Sequence, residues 1–138
     1  MFGEIIDLNK TRSRKDQVEV QVRKFQKRTE SDAFLIITAA GTEHFVQFAR
    51  VDDATILLDI PLVALAGQQQ ALARDFFDRL TKSYGSERVG MATAGGSPEA
   101  YQMSFTGEEL EDAADVVTAF FDLVYQTPSG SGFIFEEN

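Results

Sequence analysis

Few side chains in this sequence are of a type that does chemistry. There is no cysteine and a single histidine, His44, so disulfides, thiolate zinc sites, iron–sulfur ligation and a cysteine nucleophile are all excluded. His44 stands beside Glu43 on an expected strand, where the ordinary reading is a partly exposed sheet residue. Ser104 and Thr106 have no second histidine to take a proton, so no Ser/His/Asp relay assembles. Glu108, Glu111, Asp112 and Asp115 would share one helical face. Carboxylates so placed gather a hard divalent cation, but acids in first turns equally offset the helix dipole and keep that face wet. Asp52, Asp53 and Asp59 read as turn and strand-surface residues. The loop Ala94-Gly95-Gly96-Ser97 lacks the Lys-Ser/Thr of a phosphate loop and joins two strands. No residue is assigned a catalytic, metal or cofactor role, and the chain is read as a non-enzyme.

The elements that would position these side chains follow from periodicity. From Asp16 to Arg28, Val18, Val22 and Phe25 recur at helical spacing while Val18, Val20 and Val22 alternate as in a strand. Helix is preferred because Arg23 to Arg28 are good helix formers and Asp16 is placed to cap the start. Three strands follow, Ala33 to Thr38, His44 to Arg50 and Thr55 to Ile60, with turns at Ala39 to Thr42 and at Asp52-Asp53. Such short connections imply an antiparallel meander. Leu65, Leu72, Phe76, Leu80 and Tyr84 mark a second helix ended by Gly85. A strand pair, Arg88 to Ala92 and Ala100 to Phe105, comes next, with Tyr101, Met103 and Phe105 on one face. Thr106 and Glu109 have capping-box spacing before a helix running to about Gln126. Its buried face would be Leu110, Ala113, Ala114, Val117, Phe120, Phe121 and Val124. The expected fold is α+β, in the order α-β-β-β-α-β-β-α, an antiparallel sheet with helices packed on one face.

The chain of 138 residues suits one domain with one core. Residues 16–126 are read as the folded body, with 1–15 and 127–138 as terminal extensions; the latter holds a Ser-Gly-Ser-Gly linker and then Phe133-Ile134-Phe135. Apolar runs such as Phe34 to Ile37 are too short to span a bilayer and the N-terminal stretch carries acids where a signal peptide carries bases. The expected setting is cytoplasmic, with no membrane contact. Residues 1–28 hold eight Lys/Arg against four acids, and the remainder five against eighteen. An acidic body disfavours nucleic acid, whose binding depends on neutralising phosphates, and favours a basic protein segment as partner. Docking onto the chain's own basic N-terminal part is the plainer use of that charge.

A sheet covered by helices on one side leaves the other to be accounted for. If Ile36, Ile56 and Ile60 point toward the helices, Leu35, Ile37 and Leu57 point away. A dimer mate, a client segment or a chain terminus would then cover them.

The element order, size, acidity and lack of cysteine resemble the fold shared by class I type III secretion chaperones and YbjN-like proteins. The nearest local likeness is the hairpin from Phe34-Leu35-Ile36-Ile37 through Phe45-Val46-Gln47-Phe48-Ala49 to Leu57-Leu58-Asp59-Ile60-Pro61. The resemblance implies a homodimer that holds an extended client segment through apolar pockets and added strand hydrogen bonds. It gives Phe45, Gln47 and Leu57 as contact positions, joined by Leu35 and Ile37 from the surplus apolar face. Two other classes stay open: an immunity protein masking a basic toxin, and a small metal-dependent hydrolase using the acidic helix face with Asp52 or Asp59.

Overall fold

The computed structural model describes residues 13–128 and 130–138; Lys10 and Arg12 of the basic N-terminal part lie outside them. Among the described residues ten elements follow one another: α1 (Arg14–Gln26), β1 (Phe34–Ala39), β2 (Phe45–Arg50), β3 (Thr55–Pro61), a 3-10 turn (Leu62–Ala64), α2 (Gly67–Tyr84), β4 (Val89–Ala94), β5 (Ser97–Thr106), α3 (Leu110–Leu123) and β6 (Phe133–Glu137). The strands form one sheet in the order β4-β5-β3-β2-β1-β6, with every neighbouring pair antiparallel. This is the α+β fold expected, enlarged by one strand. The segment read as a C-terminal extension belongs to the sheet: Phe133–Glu137 pairs with Ala39–Leu35, and Phe133 and Phe135 pack against the core.

Local chemistry accounts for the boundaries. The first segment is a helix, capped by Ser13 and not by Asp16: the Ser13 hydroxyl accepts the Asp16 N–H at 3.0 Å. Asp16 instead contributes a negative charge to the first turn, while Arg23 and Lys24 lie in the last, complementing the helix dipole at both ends. Gly85 ends α2 at φ 95°, a left-handed value that side chains resist, and its N–H bonds the Thr81 carbonyl at 2.8 Å. Gly95 and Gly96, with φ 59° and 84°, form the two-residue turn of the β4–β5 hairpin, where both central residues need positive φ. At α3 the capping-box spacing is used differently. The Glu109 carboxylate accepts the Thr106 N–H at 2.9 Å, but the helix begins only at Leu110 and the Thr106 hydroxyl caps nothing. The motif ties the end of β5 to the start of α3.

The core lies on one side of the sheet. Val18, Val22 and Phe25 from α1, Ala73, Phe76 and Phe77 from α2, and Ala113, Val117, Phe120 and Phe121 from α3 are buried there with Val46, Phe48, Ile56, Leu58, Ile60, Met103 and Phe105. Phenylalanine supplies the contacts the composition requires. Phe76, Phe77 and Phe120 meet edge to face at 5.4–6.1 Å, and Phe77 stacks on Tyr101 at 4.7 Å. Leu35 and Ile37 are also fully buried on this side, while Ile36 lies on the other. The orientation expected for β1 is therefore reversed, although Ile56, Ile60 and Leu57 lie as anticipated. The reason is register. Phe34-Leu35-Ile36-Ile37 is apolar throughout and sets no parity of its own; pairing Ile36 with Gln47, and Gln47 with Asp59, places Ile36 on the polar side.

Candidate functional site

The acids at the start of α3 face basic side chains from other elements. Lys15 of α1 lies 3.3 Å from Glu111 and 3.0 Å from Asp115, and these hydrogen bonds, Asp115 first, raise the Lys15 pKa. Arg88 reaches Glu109 at 3.2 Å and Asp112 at 4.0 Å, and Arg14 pairs with Asp122. The basic N-terminal helix thus docks on the acids of α3. Among the described residues no group of three or more His, Asp or Glu is placed to hold a metal ion. The Asp52 carboxylate accepts the N–H groups of Ala54 at 2.8 Å and Thr55 at 2.9 Å, which lowers its pKa, chiefly through the Ala54 bond. This is an Asx turn closing the β2–β3 hairpin.

His44 precedes β2 and stacks flat on Tyr125, with ring centroids 4.6 Å apart and planes 3° from parallel. The Tyr125 hydroxyl donates to the Phe45 carbonyl at 2.6 Å, and burial pushes its pKa up to about 12. The imidazole packs on Tyr125 at the loop before β2, and its buried Nδ1 has no hydrogen-bond partner among the described residues. Ser104 lies at the level of Leu57, its backbone hydrogen-bonded to Arg88, so the two residues do not form a relay.

Among the described residues, the surface without a covering layer is the sheet face turned away from the helices. Antiparallel alternation places three bands across it. One band runs Phe34, Ala49, Leu57 and Ser104. The middle band runs Glu136, Ile36, Gln47, Asp59, Gln102 and Gly90. The last holds Ile134, Thr38 and Phe45, with Pro61 and Ala100. Ile36, Phe45, Ala49 and Leu57 are half-buried, and Phe34 and Ile134 are 37% and 49% exposed. Among the described residues, the three helices bury their apolar stripes on the opposite side.

The centre of this face is polar and organised. The Gln47 side-chain amide donates to one oxygen of Asp59 at 2.9 Å, and the Gln102 amide donates to the other at 2.7 Å. The three residues are direct cross-strand neighbours in register on β2, β3 and β5. Of the positions assigned as contacts from sequence, the structure brings Phe45, Gln47 and Leu57 together on this face; Leu35 and Ile37 are corrected to the core. Sequence reasoning passed over Gln102 and treated Asp59 as an ordinary strand-surface residue. A signal was present: Val46-Gln47-Phe48, Leu58-Asp59-Ile60 and Tyr101-Gln102-Met103 each set one polar residue between two core residues in mid-strand.

Comparison with family models, with curated proteins and with solved structures returned no match. Function has to be read from the side chains themselves.

Proposed function

We propose that the protein is a non-catalytic binding module whose open sheet face holds an extended segment of another protein, in the manner of the secretion chaperones and YbjN-like proteins it resembles. The observation that carries this reading is the open face itself. Half-buried apolar side chains from three strands (Ile36, Phe45, Ala49 and Leu57), with the exposed Phe34 and Ile134 at the rim, lie side by side, and among the described residues no helix covers them. Isolated apolar residues on a surface need no explanation, whereas a contiguous set rimmed by polar groups marks an interaction surface.

A second copy of this chain is a poor occupant for the centre of the face. A two-fold axis through Asp59 would set two carboxylates against each other with only amide groups beside them. A homodimer, as the resemblance implies, would use another surface; β4 and β6 are the outermost strands of the described sheet and pair there on one side only.

The test is a selection of random dodecapeptides on the immobilised protein, followed by titration of the enriched peptides into 15N-labelled protein. Chemical-shift changes are expected at Ile36, Gln47, Leu57, Asp59 and Gln102. Failure to enrich any peptide, or shifts confined to the helix-covered side, would refute the reading.

A further inference from the structure

Among the described residues, charge on the open face is of one sign. Arg50 is the single basic residue on the six strands. It turns to the helix side, where its guanidinium donates to the carbonyls of Gln26, at 2.6 Å, and Arg28 beyond the end of α1. The middle band of the open face carries Asp59 and Glu136 with no base among the described residues beside them. Asp59 enters no ion pair with a described Lys or Arg. Its two oxygens accept one amide hydrogen each. A carboxylate offers about four lone-pair sites, so acceptor capacity is left for a further donor. The two glutamines hold the carboxylate in one orientation before any partner arrives, which lowers the entropy lost on binding.

We infer that Asp59, steadied by Gln47 and Gln102, receives the lysine or arginine side chain of the extended partner segment. The inference rests on the open face being the docking surface and adds the chemistry of the segment. The bands set the spacing. Alternate residues of an extended chain point the same way. A segment lying along β3 with its basic residue over Asp59 sets the side chains two positions before and after over the flanking bands. One band offers Ala49 and Leu57, the other Phe45 and Pro61. The motif expected is apolar-x-Lys/Arg-x-apolar. The aliphatic stem of the basic residue lies against apolar neighbours while its head meets the carboxylate. The acidity of the chain, with 22 acids against 13 Lys/Arg, draws such a segment in from a distance.

The same peptide selection, run in parallel on the wild-type protein and on Asp59→Asn, tests this. Asn is nearly isosteric, and a glutamine amide that turns over can still bond its new amide group, so the fold is expected to persist; the 15N spectrum checks it. Peptides enriched on wild type are expected to share a fixed Lys or Arg flanked at two positions by apolar residues, a preference lost on D59N. An enriched arginine peptide is expected to bind at least about tenfold more weakly to D59N, and equally weakly to wild type when its arginine is replaced by citrulline. Combining both changes should cost no more than either alone, as a direct contact requires. Peptides that shift the open-face amides but share no basic position, or that bind D59N unchanged, would overturn this inference and leave the docking face standing. Selection that yields no peptide on that face would remove both.

Discussion

The two faces of the sheet are made from the same strands by alternate residues, yet they differ in burial and in side-chain chemistry. Toward the helices, Leu35, Ile37, Val46, Phe48, Ile56, Leu58 and Ile60 are wholly buried, without a polar side chain among them. Toward the open side, their neighbours Ile36, Phe45, Gln47, Leu57 and Asp59 keep part of their surface in water and mix apolar with amide and carboxylate groups. Stability depends on the first face, where removal from water and close packing act together. The second is free to carry recognition, because a substitution there empties no cavity. A polar triad in the helix-covered face would need every donor and acceptor satisfied, whereas water serves the remaining valences on the open one.

That contrast can be broken by experiment. The largest effect is expected from Phe48→Ala, which empties a wholly buried site beside Phe105. It should lower unfolding free energy by about 3–5 kcal/mol in urea denaturation. Next comes Tyr125, held neutral by burial with a pKa of about 12 against an unfolded value of about 10. A raised folded value means that its contribution is complete below pH 10 and is lost as the pH climbs through 12. The stability of wild type relative to Tyr125→Phe should therefore fall between pH 9 and pH 12, by roughly 2–3 kcal/mol at the upper end. At pH 8 the variant should lack only the bond to the Phe45 carbonyl, worth about 1 kcal/mol. Arg50→Met removes the charged donor from the carbonyls of Gln26 and Arg28. It should cost about 1.5–3 kcal/mol, with early hydrogen exchange at the end of α1 as its local signature. The smallest effect is expected one residue from a buried leucine. Ile36→Thr on the open face should change stability by less than about 1 kcal/mol while weakening the enriched peptides. A loss comparable to that of Phe48→Ala would mean that the open face is structural after all.

Much of this arrangement is legible in the sequence. The meander, the strand pair, the second and third helices and the apolar stripe of α3 follow from periodicity, because one-sided burial imposes 3.6-residue or two-residue repeats. Tyr101, Met103 and Phe105 share the buried face their alternation indicates. Two readings failed where local signals were silent. Phe133-Ile134-Phe135 follows a Ser-Gly-rich stretch and looked like a tail; it became a strand because β1 offered an unpaired edge and α3 offered Phe121, whose ring lies 4.7 Å from that of Phe133. The facing of β1 was reversed because four consecutive apolar residues carry no alternation, so only pairing with β2 could assign it. Gln47 is a contact position that the resemblance implies, but its sharing of Asp59 with Gln102 joins residues 55 positions apart.

The order of residues is sufficient to establish an α+β domain, acidic in its body, with no thiol and a single imidazole. Composition and short-range periodicity are enough for that. It took the fold to show which described apolar residues lack a covering layer, that acids of α3 pair with Lys15 and Arg88, and that Gln47, Asp59 and Gln102 stand abreast. Those are properties of register and of strand order, set by the summed burial of a whole face, which no local stretch of chain contains.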